Sequence, residues 1–217
     1  MSLETEKRLA AARAATLVKE SMRVGLGTGS TVAYLLAELG RRPVKALFVA
    51  TSPATEQAAR ALGLPVESFD ENGSLDLAID GADQVTEDGW LIKGAGGALT
   101  REKIVAASAD RFVVIVDSTK LVGSLHAPVP FEILAYGASS TLGRLTPSQL
   151  RGGAPSPDGG LIGDYLGDVH EPGLLASRLS TTPGVVEHGL FAPELVSEVY
   201  VGVGESVRRI VVKGDHD

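Results

Sequence analysis

Through the first 120 residues, short apolar runs alternate with segments of helical period, and this alternation constrains the fold more than any other feature. Residues 4–20 are rich in Ala, Leu, Lys, Arg and Glu, all good helix formers. Met22, Val24 and Leu26 then alternate with Arg23 and Gly25, which reads as a short strand. A turn, Gly27-Thr28-Gly29-Ser30-Thr31, leads into Val32, Leu35, Leu36 and Leu39 at helical spacing, with Gly40 as a stop. Residues 44–50 read as a second strand, and Ser52 can cap a helix that starts at Pro53 and ends near Gly63. A further strand is expected over residues 65–69. Leu75, Leu77 and Ile79 alternate with Asp76, Ala78 and Asp80, the period of a half-buried strand ending at Asp80. A helix is expected over residues 100–109. Residues 111–116 form an apolar run short enough for a buried parallel strand. Strands and helices in this order predict an α/β fold built on a mostly parallel sheet.

The pattern changes after Gly123, and Pro128 and Pro130 mark a boundary. Residues 131–135 read as a strand, and residues 139–150 as a helix interrupted near Pro147. Residues 151–160, with four glycines and two prolines, read as a loop. Residues 161–166 read as a strand, 172–179 as a helix and 184–188 as a strand. A β-α-β-β-α-β unit of ferredoxin-like type requires one more weak strand, expected within residues 151–157. Residues 198–203 and 207–212 read as a strand pair around Gly204-Glu205-Ser206.

Composition excludes several function classes. The 217 residues, 44% of them hydrophobic, are enough to bury a real core. The formal charge of −7 argues against nucleic acid as a partner but leaves room for a small anion held by backbone amides and a few lysines. The chain has no cysteine, which removes disulfides, thiolate chemistry and cysteine-ligated zinc. No apolar run reaches the length of a membrane span, and the first 19 residues lack an apolar signal core, so a cytoplasmic protein without membrane contact is expected.

The polar motifs follow the expected strand ends. In open α/β sheets, ligands bind outside the carboxyl ends of the strands. The turn at residues 27–31 can hold an anion on helix N-terminal amides, or can simply be a tight connection capped by Ser30. Asp80-Gly81-Ala82-Asp83 can be a polar loop with an aspartate cap, the usual fate of Asp-Gly. Lys93, before Gly94, Ala95, Gly96 and Gly97, can be a solvated lysine, and Glu102 an ordinary first-turn glutamate. Lys103 and Lys120 read as surface charges. Each bland reading holds for its motif alone. Together, residues 28–31, 80–83 and 117–120 should gather on one sheet edge, where a phosphate turn, carboxylates and lysines describe a phosphosugar site. A dinucleotide site is disfavoured, because Ala50-Thr51-Ser52-Pro53 offers no acidic residue after the second strand. The ATP-binding Gly-x4-Gly-Lys-Ser/Thr pattern is absent. His126, His170, His188 and His216 show no metal-ligand spacing, so no metal is expected.

The motifs Gly27-Thr28-Gly29-Ser30-Thr31, Asp80-Gly81-Ala82-Asp83, Lys93-Gly94, Leu99-Thr100-Arg101-Glu102-Lys103, Ser118-Thr119-Lys120 and Pro183-Gly184-Val185-Val186-Glu187-His188-Gly189-Leu190-Phe191 occur in that order. This set closely resembles ribose-5-phosphate isomerase of the A type. The resemblance implies a Rossmann-like, mostly parallel sheet with a smaller ferredoxin-like α+β domain. It divides the chain into residues 1–125 with 199–217, the tail returning to the first domain, and residues 126–198. It implies interconversion of D-ribose 5-phosphate and D-ribulose 5-phosphate, in the non-oxidative pentose phosphate pathway and without a cofactor. It makes Glu102 the base, with Asp80, Asp83 and Lys93 around the sugar. It gives substrate contacts to Thr28, Gly29, Ser30, Thr31, Gly81, Ala82, Gly94, Ala95, Gly96 and Lys120, and to Lys7 on a single-residue match. A homodimer or homotetramer is expected. A sugar-phosphate sensor is the alternative, but it need not keep Glu102 and Lys93.

Three features depart from the family's pattern. Gln84 stands where Glu is frequent, which could alter the charge of the site. The glycine turn reads Gly-Ala-Gly-Gly-Ala in place of Gly-Gly-Gly-Ala-Ala. Gly163 and Asp164 interrupt a usually apolar strand.

Overall fold

The computed structural model describes residues 2–69 and 73–212. The chain begins with helix α1 (Leu3–Ala15), followed by β1 (Arg23–Leu26), α2 (Ser30–Gly40), β2 (Leu47–Ala50), α3 (Pro53–Ala61) and β3 (Leu77–Asp80). Ser52 caps α3 as expected, its hydroxyl accepting from the Thr55 amide with Pro53 in the first turn. Residues 65–69 do not form the expected strand, and only Val66 bridges to Phe48. Two short strands, β4 (Gln84–Val85) and β5 (Leu91–Ile92), precede α4 (Leu99–Ala107) and β6 (Phe112–Asp117).

The second half comprises β7 (Val129–Ile133), α5 (Ala138–Arg144), β8 (Ser148–Leu150), β9 (Leu161–Tyr165), α6 (Pro172–Thr181) and β10 (Val185–His188). It ends with β11 (Leu190–Phe191), β12 (Glu198–Val203) and β13 (Ser206–Val211). The expected helix over residues 139–150 is therefore corrected. It stops at Arg144, and the weak strand sought within residues 151–157 is β8, on the near side of Arg151. Proline lacks the amide that would continue the helix, and Pro147 falls where the chain turns from α5 into β8.

The six-stranded sheet has the order β13-β12-β6-β3-β1-β2. It is parallel except for β13, which forms a hairpin on β12. Alternate side chains of β6 feed two cores. Val113 and Ile115 join the core under α1 and α2, built on Ala10, Ala14, Leu35 and Leu39. Phe112, Val114 and Val116 join the opposite core, with Val105 and Ala106 of α4 and Phe191. Both faces are thus covered, so β3 is buried at all four positions, including Asp80, and not half-buried as its alternation suggested.

A four-stranded antiparallel sheet has the order β10-β7-β9-β8, the ferredoxin-like arrangement of a β-α-β-β-α-β unit. Val129, Phe131 and Ile133 of β7 pack with Leu145 and with Leu175 and Leu179 of α6. Gly163 of β9 has a packing reason, since a Cβ there would fall 2.7 Å from the Phe131 ring. The third sheet, β11-β5-β4, was not anticipated, because two-residue strands carry no readable period.

Chain order reverses beside β1. Its successor β2 lies on one side and β3 on the other, so β1 and β3 flank the topological switch point. That crevice is the usual ligand position in an open α/β sheet.

Candidate active site

The turn after β1 and the turn after β3 are tied by a hydrogen bond. The Thr28 amide donates to Asp80 Oδ1 at 3.1 Å, and the Gly81 amide donates to the same oxygen at 2.7 Å. This contact depends on Gly27, where a Cβ would lie 1.8 Å from the Asp80 carboxylate. The residue at the N-cap of α2 is Gly29, at φ +130°, and not Ser30. Gly29 brings no side-chain acceptor, so no side chain caps the first-turn amides of α2, an arrangement that binds anions at helix N-termini. Ser30 instead accepts from Lys7 Nζ at 3.0 Å, which brings α1 to this edge.

Lys93 is buried beneath the turns. Its ammonium donates to Gly81 O at 2.6 Å and pairs with Asp80 Oδ2 at 2.8 Å and Glu102 Oε2 at 3.2 Å. The Glu102 contact is an ion pair off the direction of a hydrogen bond, and no donor is aimed at that buried oxygen. Burial pushes the Glu102 carboxyl up, the Lys93 charge opposes this and the Asp80 charge adds to it, leaving it at about 7. Burial also raises Asp80, against Lys93 and the two amides. The Lys93 ammonium stays charged, because Asp80 and Glu102 together outweigh its own burial.

These groups open on a cavity of about 240 Å³. Thr28, Gly29, Ser30 and Thr31 form one wall, and Gly81, Ala82 and Asp83 a second. Lys93, Gly94, Ala95 and Gly96 with Glu102 form a third, and Lys7 and Lys120 complete the lining. Among the residues expected at the site, Asp80 alone stands behind the wall, its oxygens occupied by Lys93 and the two amides. The Thr28 hydroxyl also turns away, into a cluster with Thr51, Ser52 and Thr55. Asp83 Oδ2 accepts from the Ala95 amide at 2.9 Å and so holds the glycine turn against the second wall. Among the described residues, no cluster of three or more His, Asp or Glu is arranged to hold a metal ion.

Comparison with known proteins bears on this cavity. The family model for ribose 5-phosphate isomerase A (phosphoriboisomerase A) matches residues 47–206. The ribose-5-phosphate isomerase A of Gluconobacter oxydans is 43% identical over 94% of this chain and 96% of its own. This chain belongs to the ribose-5-phosphate isomerase A family. Its fold agrees with that of ribose 5-phosphate isomerase A from Neisseria gonorrhoeae, with a TM-score of 0.93 and 32% identity, over 98% of this chain and 99% of that one. A D-ribose-5-phosphate isomerase solved in complex with phospho-erythronic acid has a TM-score of 0.92 and 34% identity, over 97% of this chain and 100% of that one.

The structure also explains how this isomerase-family chain departs from the family's motifs. Gln84 is not in the cavity lining. Its amide exchanges hydrogen bonds with the backbone of His126, at 2.9 Å and 2.8 Å. Asp164 forms a two-pronged ion pair with Arg151, and Arg151 Nη1 donates to Gly94 O at 3.1 Å and Ala95 O at 2.9 Å. Arg151 thus buttresses the glycine turn from a segment read only as loop. The polar Asp164 inside an otherwise apolar strand was its one visible signal. Glu6 was missed as well. It accepts from the Ser118 amide and hydroxyl and from the Gly204 amide, which lowers its pKa and fixes α1, hence Lys7, to the sheet edge.

Proposed function

We propose that Glu102 is the base with which this chain, an aldose–ketose isomerase of the ribose-5-phosphate isomerase A family, interconverts D-ribose 5-phosphate and D-ribulose 5-phosphate. The observation that carries the assignment is a buried carboxylate paired with a buried ammonium, opening on the cavity that also receives the uncapped end of α2. Phosphate binds at the α2 amides with Lys7, Lys120 and the Thr31 hydroxyl. C1 and C2 then lie toward Glu102. Glu102 takes the proton from C2, the C2–H electron pair becomes the C1–C2 double bond, and negative charge gathers on the former carbonyl oxygen. Lys93 stabilises that oxygen without leaving its anchors on Asp80 and Gly81. Glu102 returns the proton to C1, and the C2 hydroxyl proton passes to the C1 oxygen, so that C2 becomes the ketone and C1 the primary alcohol. A base with its pKa near the working pH combines availability with proton affinity. Asp83 faces the ring oxygen and assists ring opening. Asp80, behind the wall, positions Lys93.

The same reading assigns phosphate and sugar binding to residues 1–125 with 199–217, and the cover of the site to residues 126–198. Pairing of β12 with β6 supports the first grouping, and the reach of Arg151 to the glycine turn supports the second. A cytoplasmic homodimer or homotetramer fits a metabolic enzyme without cysteine; among the described residues no helix is long and apolar enough to cross a membrane. A coupled assay of purified protein tests the activity. Conversion of ribose 5-phosphate with little conversion of free ribose is expected. Binding without turnover would instead make the chain a sugar-phosphate sensor.

A further inference from the structure

Lys103, read from sequence as a surface charge, is folded inward. Its side chain is only 14% exposed. The ammonium donates to Glu187 Oε1 at 2.7 Å and to His188 O at 2.6 Å, and lies 3.3 Å from His188 Nδ1. Nδ1 also accepts from the Leu190 amide at 3.2 Å, so it carries no proton. The ring proton is therefore on Nε2, which donates to Ser180 Oγ at 3.0 Å. His188 stays neutral down to about pH 4, because burial and the Lys103 charge both oppose a second cation. Glu187 is thus the sole counter-charge of Lys103 in this cluster.

The segment that holds Lys103 also holds Lys93. Gly189 O accepts from the Lys93 amide at 2.8 Å, and no side chain fits at Gly189, where a Cβ would sit 2.1 Å from Lys93 O. The Phe191 ring carries both ammoniums, Lys103 Nζ at 5.0 Å and Lys93 Nζ at 5.6 Å from its centroid. Residues 187–191 therefore grip Lys93 through the backbone and the residue after Glu102 through a half-buried ion pair. Helix α4 has no side-chain cap of its own. Its start is held from the four-stranded sheet side, where Thr100 donates to Glu132 at 2.5 Å and Lys103 reaches Glu187.

We propose that Lys103 and Glu187 are positioning residues for the isomerase reaction, setting the register of Glu102 against Lys93 through one clamp, residues 187–191. The proposal rests on Glu102 being the base. It explains how a glutamate without a directed hydrogen bond stays beside its lysine. The pair fixes where Glu102 stands and leaves its carboxylate unoccupied for the substrate.

The test compares Glu187→Gln, Lys103→Met and, as a control on the base itself, Glu102→Gln, each checked for folding by thermal melting. kcat and KM for ribose 5-phosphate are measured from pH 5 to 9. Misplacing a reacting group by about 1 Å costs about 10²-fold in rate. Glu187→Gln and Lys103→Met should lose kcat on that scale, with KM little changed. The acid limb of the kcat/KM profile should also move to higher pH, as Glu102 loses Lys93 while still facing Asp80 and Asp83. The direction in Glu187→Gln is decisive, because removing a nearby negative charge would by itself move the limb to lower pH. An unchanged or lowered limb in Glu187→Gln overturns the proposal, as does wild-type kcat in either variant. Failure of both variants to fold also overturns it, since the pair would then be a folding requirement. If Glu102→Gln itself retains turnover, the assignment of the base has failed instead.

Discussion

Glu102 Oε2 lies 3.2 Å from Lys93 Nζ, paired by charge but not by a directed hydrogen bond. A carboxylate fully saturated with donors would be a poor base. One left in water would keep its ordinary pKa of about 4.5 and bind a carbon-derived proton weakly. Glu102 falls between these limits, because burial and Asp80 raise it and Lys93 restrains the rise.

That compromise costs stability. The folded pKa of Glu102, about 7, is above its ordinary 4.5, so between these values the folded chain binds more protons than the unfolded one. Stability contributed by this group is present at low pH and is lost as pH rises through about 7. Glu102→Gln should therefore be more stable than the wild type at pH 8, by on the order of 1–3 kcal/mol. The gain should shrink toward pH 5. Urea unfolding at the two pH values checks this, and a Gln variant less stable at pH 8 would contradict it.

Removing Lys93 should harm both stability and rate. Lys93→Met leaves Asp80 and Glu102 buried with no cation between them. Breaking a buried pair by removing one partner typically costs about 3–5 kcal/mol. Loss of a preorganised donor to a developing oxyanion costs about 10²–10³-fold in kcat. Unfolding and steady-state kinetics together check both. Near-normal kcat would remove Lys93 from charge stabilisation.

At the other end of the cavity, Lys7→Ala and Thr31→Val each delete one donor proposed to hold the phosphate. A hydrogen bond to a charged group is worth about 1.5–3 kcal/mol. Each variant should lose kcat/KM for ribose 5-phosphate on that scale, chiefly through KM. Little change is expected with free ribose. An equal loss on both substrates would show that these residues do not read the phosphate.

The chemistry as proposed uses only side chains and backbone. Protein treated with EDTA and desalted should keep its activity. Complete loss, with recovery on adding a divalent metal, would contradict this.

Legibility in the sequence followed the range of the physical signal. The strand-turn-helix at residues 22–40 was readable because Val32, Leu35, Leu36 and Leu39 report a buried face and glycines mark the turn. The stacking of β1, β3 and β6 then gathers the turns after them. The hydrogen bond from the Thr28 amide to Asp80 joins residues far apart in sequence only through parallel pairing. Features that depended on a distant partner were not readable. Nothing local shows that Lys103 turns inward, that Arg151 reaches Gly94, or that Glu6 ties α1 to Ser118. Strands of two residues, such as β4, β5 and β11, are too short for any period and exist because they pair with one another. The misplaced strand near Arg151 came from reading the helical period of residues 139–145 past Pro147.

The most direct measurement follows the C2 proton. Ribose 5-phosphate deuterated at C2 is incubated with wild type and with Glu102→Gln, and the label is followed by NMR. The Gln variant keeps the shape of Glu102 but has no basic oxygen. With the wild type, deuterium should leave C2 for solvent or for C1 as ribulose 5-phosphate forms. General-base catalysis contributes about 10²–10⁴-fold, so the variant should bind the sugar phosphate yet move label slower by at least the lower figure. Label leaving C2 at near wild-type rate in Glu102→Gln would show that another group takes the proton, and would contradict the central assignment.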